Sequence, residues 1–298
     1  MHNFTTYLKL LGAVTAWGGT FIAAKFAVLD TSIEMAALLR FITASIVLLI
    51  LLYSRQGYLP RIDRQQLIYL ILLGLSGVAI YNLFFFFGLQ SVEAGRGALI
   101  ITSNPLLVAL GSALFYRQRF LPVNLLGLLL CPLGVAVVLS RGELSDLFVQ
   151  GVGRGELALL GCALSWAAYT LIGKQMMVSK SPLDPLTLVT YSCISGSLLL
   201  GAWIILSGHA ITLNLTFTLI SSIGYLALLG TVAGFIWYFQ GIREIGATQG
   251  AAFVFFVPVS AILLGHVWLD EAITVSLISG AILIIGGVAL TNIKPSLV

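Results

Sequence analysis

Residues 17–25 read W-G-G-T-F-I-A-A-K, and residues 166–174 read W-A-A-Y-T-L-I-G-K. Trp17, Phe21 and Lys25 stand at i, i+4 and i+8, as do Trp166, Thr170 and Lys174, so each trio marks one face of a helix. The offset between the stretches is 149, and further along it settles at 153. That second offset pairs Gly88 with Gly241, Ala94 with Ala247, Gly97-Ala98 with Gly250-Ala251 and Pro105 with Pro258. It also pairs Gly127 with Gly280 and Gly134 with Gly287. Apolar helices share residues by chance because their alphabet is small, but Gly, Pro, Lys and Trp rarely match in the same order. The chain reads as a duplication, with halves at 8–140 and 155–292.

The composition fixes the solvent. Of 298 residues, 59% are hydrophobic and 9% charged, with a mean hydropathy of +1.06. A soluble domain carries about 25% charged residues. So few charges cannot cover a water-facing surface, but they suffice where most of the surface faces lipid. The net charge of +4 does not indicate nucleic acid, because the basic residues stand singly between apolar runs.

A helix needs about 20 apolar residues to cross the hydrocarbon. The predicted spans are 8–29, 33–53, 67–89, 97–116, 123–140, 155–178, 186–206, 217–241, 248–268 and 273–292. The run from Leu10 to Leu29 is too long for a signal-peptide core and is read as a retained helix. The stretch from about Arg141 to Arg154 is the only connection longer than a turn. With the N-terminus inside, the inner loops carry Lys9, Arg55, Arg61, Arg64, Arg117, Arg119, Lys180, Arg243 and Lys294, against Arg96, Arg141 and Arg154 outside. This asymmetry predicts that both termini lie inside. Five helices per half, an odd number, insert the second half upside down. The expected fold is therefore an all-α integral membrane protein of ten transmembrane helices, two inverted five-helix repeats around a central cavity. Such a repeat suits a carrier, because halves of one design and opposite orientation can exchange conformations.

The closing pattern of the second half is a proline helix, a turn and a glycine-rich helix: Pro258, Leu264-Gly265, Asp270-Glu271, Gly280 and Gly286-Gly287. With W-G-x-x-F-x-x-x-K at Trp17–Lys25 and its weaker copy at 166–174, it resembles the EamA-type family of the drug/metabolite transporter superfamily. The resemblance covers nearly the whole chain. The first half departs from it, with Arg117-Gln118-Arg119 where an acidic turn residue is usual. The resemblance implies a ten-helix basket with a central cavity, and export of amino acids or related metabolites across a bacterial inner membrane. It does not name the substrate.

Three cations fall within predicted helices: Lys25, Arg40 and Lys174. Lys25 and Lys174 are repeat mates near opposite ends of their helices. They either draw in an anionic substrate or snorkel to the headgroups. Arg40 is either a structural ion pair with nearby Asp30 or Glu34, or a clamp for a substrate carboxylate. Trp17 and Trp166 lie mid-helix, too deep for interfacial anchors, and would meet in the cavity if their stripes face it. Asn104 precedes Pro105, which is expected to loosen the fourth helix where polar backbone lines a wet cavity. Tyr81 and Tyr238 complete the candidate substrate-binding set, because a hydroxyl prefers a polar partner.

Several chemistries have no signature here. G-x-x-x-x-G-K-[ST] and H-E-x-x-H are absent, and no cofactor or metal is expected. Cys131, Cys162 and Cys193 lie in apolar runs and read as small buried residues. No carboxylate falls deep in a predicted helix, which argues against a simple carboxylate proton relay. Gly127/Gly134, Gly280/Gly287 and Gly230-x-x-x-Gly234 read as close helix contacts, within the fold or in a homodimer. The expected partners are the lipid bilayer and a small-molecule substrate. The leading expectation is a secondary carrier rather than an enzyme. The rivals are a carrier of phosphorylated or nucleotide sugars, which would need several cations, and a non-transporting scaffold.

Overall fold

The computed structural model describes residues 2–116, 121–140, 152–179, 181–208, 211–245, 253–291 and 293. Its helices are α1 (His2–Asp30), α2 (Ile33–Gln56), α3 (Arg64–Leu89), α4 (Ala94–Ile101), α5 (Asn104–Tyr116) and α6 (Pro122–Leu139). After them come α7 (Arg154–Met177), α8 (Pro185–Ser207), α9 (Phe217–Ile245), α10 (Phe253–Leu269) and α11 (Val275–Thr291). Among the described residues there is no strand, only a lone bridge between Thr31 and Leu213. Seven helices, α1–α3 and α6–α9, are long and apolar enough to cross a membrane, and α10 and α11 are shorter apolar helices. Side chains such as Leu114, Leu198, Ile205, Phe217 and Leu263 stand exposed on the outside. A continuous apolar exterior of this kind suits hydrocarbon, not water.

The expected spans at 33–53, 123–140, 155–178 and 186–206 match α2, α6, α7 and α8 to within three residues. The expected helix at 97–116 is a correction. It is two helices, α4 and α5, separated by a turn at Thr102-Ser103. Asn104 and Pro105 therefore open α5, where the imino nitrogen of proline leaves no donor unpaired, instead of sitting inside a continuous helix. The Arg117-Gln118-Arg119 turn, most of the 141–154 connection and the expected start of a helix at 248 lie outside the described residues. So does the Cys131 side chain, while Cys162 and Cys193 are buried free thiols.

Two long helices change register midway. Gly74–Ile80 in α3 and Leu226–Ala233 in α9 are π-helical. A π turn widens the helix and redirects side chains, and it is commonest at functional sites. Apolar patterning carries no record of it, because hydropathy is unchanged.

The main packing pairs are α1 with α9 and α10, α2 with α8, α3 with α7, α4 with α10, α5 with α7 and α6 with α11. Each pair joins the first 140 residues to the remainder, so the two halves interleave. Glycine sets the closest of these approaches. A Cβ on Gly134 would lie 2.8 Å from the Ile284 nitrogen and 2.9 Å from the Gly280 carbonyl, and one on Gly280 would lie 2.3 Å from Val138. These glycines therefore close α6 onto α11 within one chain.

Candidate functional site

Trp17 of α1 and Trp166 of α7 meet edge to face, with ring centroids 5.4 Å apart at 81°. Phe235 of α9 lies 6.1 Å from Trp17 and 5.3 Å from Trp166. Tyr238 lies 5.1 Å and 5.9 Å from the same two rings. Tyr81 of α3 lies 5.4 Å from Trp166 and stacks on Phe85 at 5.8 Å. Each such pair adds about 0.5–1.5 kcal/mol beyond its buried area. The Trp17 indole donates to the Gly230 carbonyl at 2.8 Å, in the π segment of α9. A Cβ on Gly234 would fall 2.5 Å from that indole nitrogen. The Gly230-x-x-x-Gly234 motif is thus the slot that receives Trp17.

Arg40 of α2 reaches into the same space and is only 4% exposed. Its Nε donates to Thr231 Oγ1 at 2.9 Å and its Nη1 to Asn82 Oδ1 at 3.0 Å. Both partners are themselves anchored at π turns. Thr231 donates to the Leu226 carbonyl at 3.0 Å, and Asn82 Nδ2 donates to the Val78 carbonyl at 2.8 Å. The guanidinium also lies 5.1 Å from the Phe41 ring centroid. No carboxylate among the described residues pairs with it, and Asp30 instead accepts from Thr216 at 2.5 Å. The ion-pair expectation for Arg40 gives way to a neutral cradle of one amide and one hydroxyl.

The break between α4 and α5 supplies the remaining polar wall. Thr102 Oγ1 donates to the Ala98 carbonyl at 2.7 Å, Ser103 Oγ to Ile100 at 2.7 Å and Asn104 Nδ2 to Ile101 at 3.0 Å. The Thr102 and Ser103 hydroxyls add to the backbone bonds that Ala98 and Ile100 already accept, and the Asn104 amide serves the Ile101 carbonyl, so the end of α4 keeps its carbonyls paired inside the bundle.

These residues enclose a cavity of about 40 Å³, lined by Trp17, Thr20, Phe21, Arg40, Tyr81, Phe85, Ile101, Thr102, Asn104, Trp166, Phe235, Val254 and Val257. At roughly 10–15 Å³ per water centre it holds a few waters, not a metabolite. Aromatic side chains fill most of the space between the helices here.

Of the sequence-predicted set, Trp17, Arg40, Tyr81, Asn104 and Trp166 line this cavity, and Tyr238 packs behind the tryptophans. Lys25 and Lys174 do not line it. Lys25 is 3.5 Å from Glu271 Oε1, a pair 25% and 12% exposed. Lys174 sits in the last turn of α7. Glu271 does more than pair. It accepts from the Ala94 and Gly95 amides at 2.7 and 3.1 Å and so caps the start of α4. The chain reaches that position because Asp270 adopts a left-handed turn (φ 54°), and Glu271 N–H then bonds the Gly265 carbonyl at 3.2 Å. One carboxylate thereby ties α1, α4 and the α10–α11 turn together at one end of the bundle.

Sequence reasoning missed Thr20, Asn82, Thr102, Thr231 and Glu271. Lone hydroxyls in apolar helices give little signal, since most bond their own backbone. Asn82 was the readable one, being an amide buried in an apolar run.

The fold and cavity define an all-helical integral membrane protein with a charged, aromatic-walled chamber between its halves. The sequence profile described as the EamA-like transporter family matches residues 4–140 and 153–293. The chain belongs to this family. It is 29% identical over 289 residues to "Uncharacterized transporter YyaM" of Bacillus subtilis (strain 168), covering 97% of this chain and 93% of that protein. It is 28% identical over 274 residues to "Uncharacterized inner membrane transporter YedA" of Escherichia coli (strain K12), covering 88% and 84%. A solved crystal structure shares the fold at a TM-score of 0.69, with 21% identity and 96% of each chain covered.

Proposed function

We propose that this chain is a secondary transporter that exports amino acids or related small metabolites across a bacterial inner membrane by alternating access. The observation that carries this reading is the buried, cation-bearing cavity enclosed between the two interleaved halves. Counting α4 and α5 as one span brings the described helices to ten, an even number that suits termini on one side, and the Lys/Arg asymmetry of the loops favours the inside. The family profile's match to each half supports the inverted repeat, and so do the π segments. Gly74–Ile80 displaced by 153 falls on 227–233, within Leu226–Ala233. A re-registered helix in each half, with the α4–α5 break beside them, suits a site that changes access. Relatives named as transporters, one of them an inner-membrane transporter, support a non-enzymatic role and this location.

The sugar-phosphate alternative is weaker. A phosphate needs several cations, and Arg40 is the one cation among the described lining residues. Efflux from proteoliposomes separates transport from a scaffold role. Vesicles loaded with the twenty amino acids, their 2-oxo acids and a few sugar phosphates should lose a subset faster than protein-free vesicles. Equal retention of every compound by vesicles holding folded, inserted protein would contradict transport.

A further inference from the structure

Arg40 points to what the chamber accepts. Its guanidinium carries five N–H donors and a charge that persists at any physiological pH. Thr231 and Asn82 take two of these donors. Nη2 has no partner among the described residues and lies beside the bare face of Gly230, where a Cβ would come within 3.5 Å of it. A buried charge without a counter-ion is unfavourable unless something supplies the opposite charge. None of the described residues does. A carboxylate suits the three N–H groups that Thr231 and Asn82 leave, two of them on Nη2. One cation balances one negative charge, so a monoanion fits and a phosphate dianion is left under-neutralised. Beside the guanidinium stand Trp17, Tyr81, Phe85 and Trp166, a wall for a flat apolar body. The described lining holds no carboxylate to receive an ammonium group.

We infer that the cargo is a monoanionic organic acid with a flat apolar body, whose carboxylate is held by Arg40. Resting on the transport reading above, this narrows its substrate class: among amino acids and related metabolites, the deaminated acid binds better than the zwitterion. The two tryptophan faces offer an ammonium some compensation, but less than its lost hydration.

Calorimetric titration of the purified full-length protein in detergent tests this with four compounds of one skeleton: 3-phenylpropionate, its amide, 2-phenylethylamine and phenylalanine. Protein-free micelles give the background. The acid should bind at least about 100-fold more tightly than the amide or the amine, the usual scale for removing one partner of a buried charge pair, and about 10-fold more tightly than phenylalanine. Arg40→Met should abolish that preference, and Arg40→Lys should keep part of it, because a point charge replaces the fork. If neither variant folds, the wild-type series decides alone. Equal binding of acid and amide, stronger binding of the amine or phenylalanine, or no binding of any of the four by protein that empties vesicles of other compounds, would overturn the inference. A protein that moves nothing at all sinks the transport reading, and this one with it.

Discussion

Trp17→Ala should lower the unfolding free energy by about 3–5 kcal/mol, the range for deleting a buried aromatic side chain. Trp17 is 8% exposed and touches Trp166, Phe235 and Tyr238, so its loss opens the centre of the aromatic wall. It also strips the Gly230 carbonyl of the indole donor at 2.8 Å. Trp17→Phe keeps a ring but not the donor and should cost less, about 1–3 kcal/mol for an unsatisfied buried acceptor. Unfolding of both variants in mixed micelles gives the two values. A Trp17→Ala protein as stable as wild type would mean that the ring packs against nothing that matters. Transport should fall in both variants, because Thr231, which cradles Arg40, adjoins Gly230 in the π segment that receives Trp17.

Glu271→Gln should release the start of α4. The carboxylate accepts two backbone amides and faces Lys25 at 3.5 Å. Glutamine offers one acceptor, turns an amide NH₂ toward groups that are themselves donors, and removes the charge that suits a helix N-terminus. The combined loss is about 2 kcal/mol, counting one cap and one charge-assisted hydrogen bond. That corresponds to roughly 30-fold in the local opening equilibrium, at tenfold per 1.4 kcal/mol. Amide hydrogen exchange across residues 94–101 should accelerate by that factor. Lys25→Met leaves the cap intact and should change exchange far less, since a partly exposed pair contributes under about 1 kcal/mol. Unchanged exchange in Glu271→Gln would remove the carboxylate as the tie between α1, α4 and the α10–α11 turn.

The sequence was most legible where hydropathy and charge decide the outcome. Leaving lipid costs an apolar side chain and entering it costs a charged one, so the ends of α2, α6, α7 and α8 follow from composition. The matching W-to-K stretches singled out Trp17 and Trp166 as a pair that would meet if their stripes faced one cavity, and their ring centroids lie 5.4 Å apart. Hydrogen-bond register was not legible. The π turns depend on tertiary packing, such as Gly77 against the Tyr169 ring, where a Cβ would come within 2.3 Å. At the Thr102-Ser103 break three side chains turn back to carbonyls, and the same residues could equally face lipid in an unbroken helix. The Lys25–Glu271 pair is illegible in the sequence for a related reason. Its partner Glu271 lies in a turn at the far end of the sequence, and the fold alone makes them neighbours.

Alternating access requires that one cavity be reached from both sides of the membrane. Thr102 is 1% exposed and lines that cavity. In a chain with Cys131, Cys162 and Cys193 changed to alanine, Thr102→Cys can be offered a membrane-impermeant thiol reagent from either face of oriented vesicles. Alternating access predicts labelling from each face in turn, slowed by bound cargo, with transport lost once the thiol is modified. Labelling from one face only, while cargo still crosses at the unmodified rate, would place the transport path elsewhere.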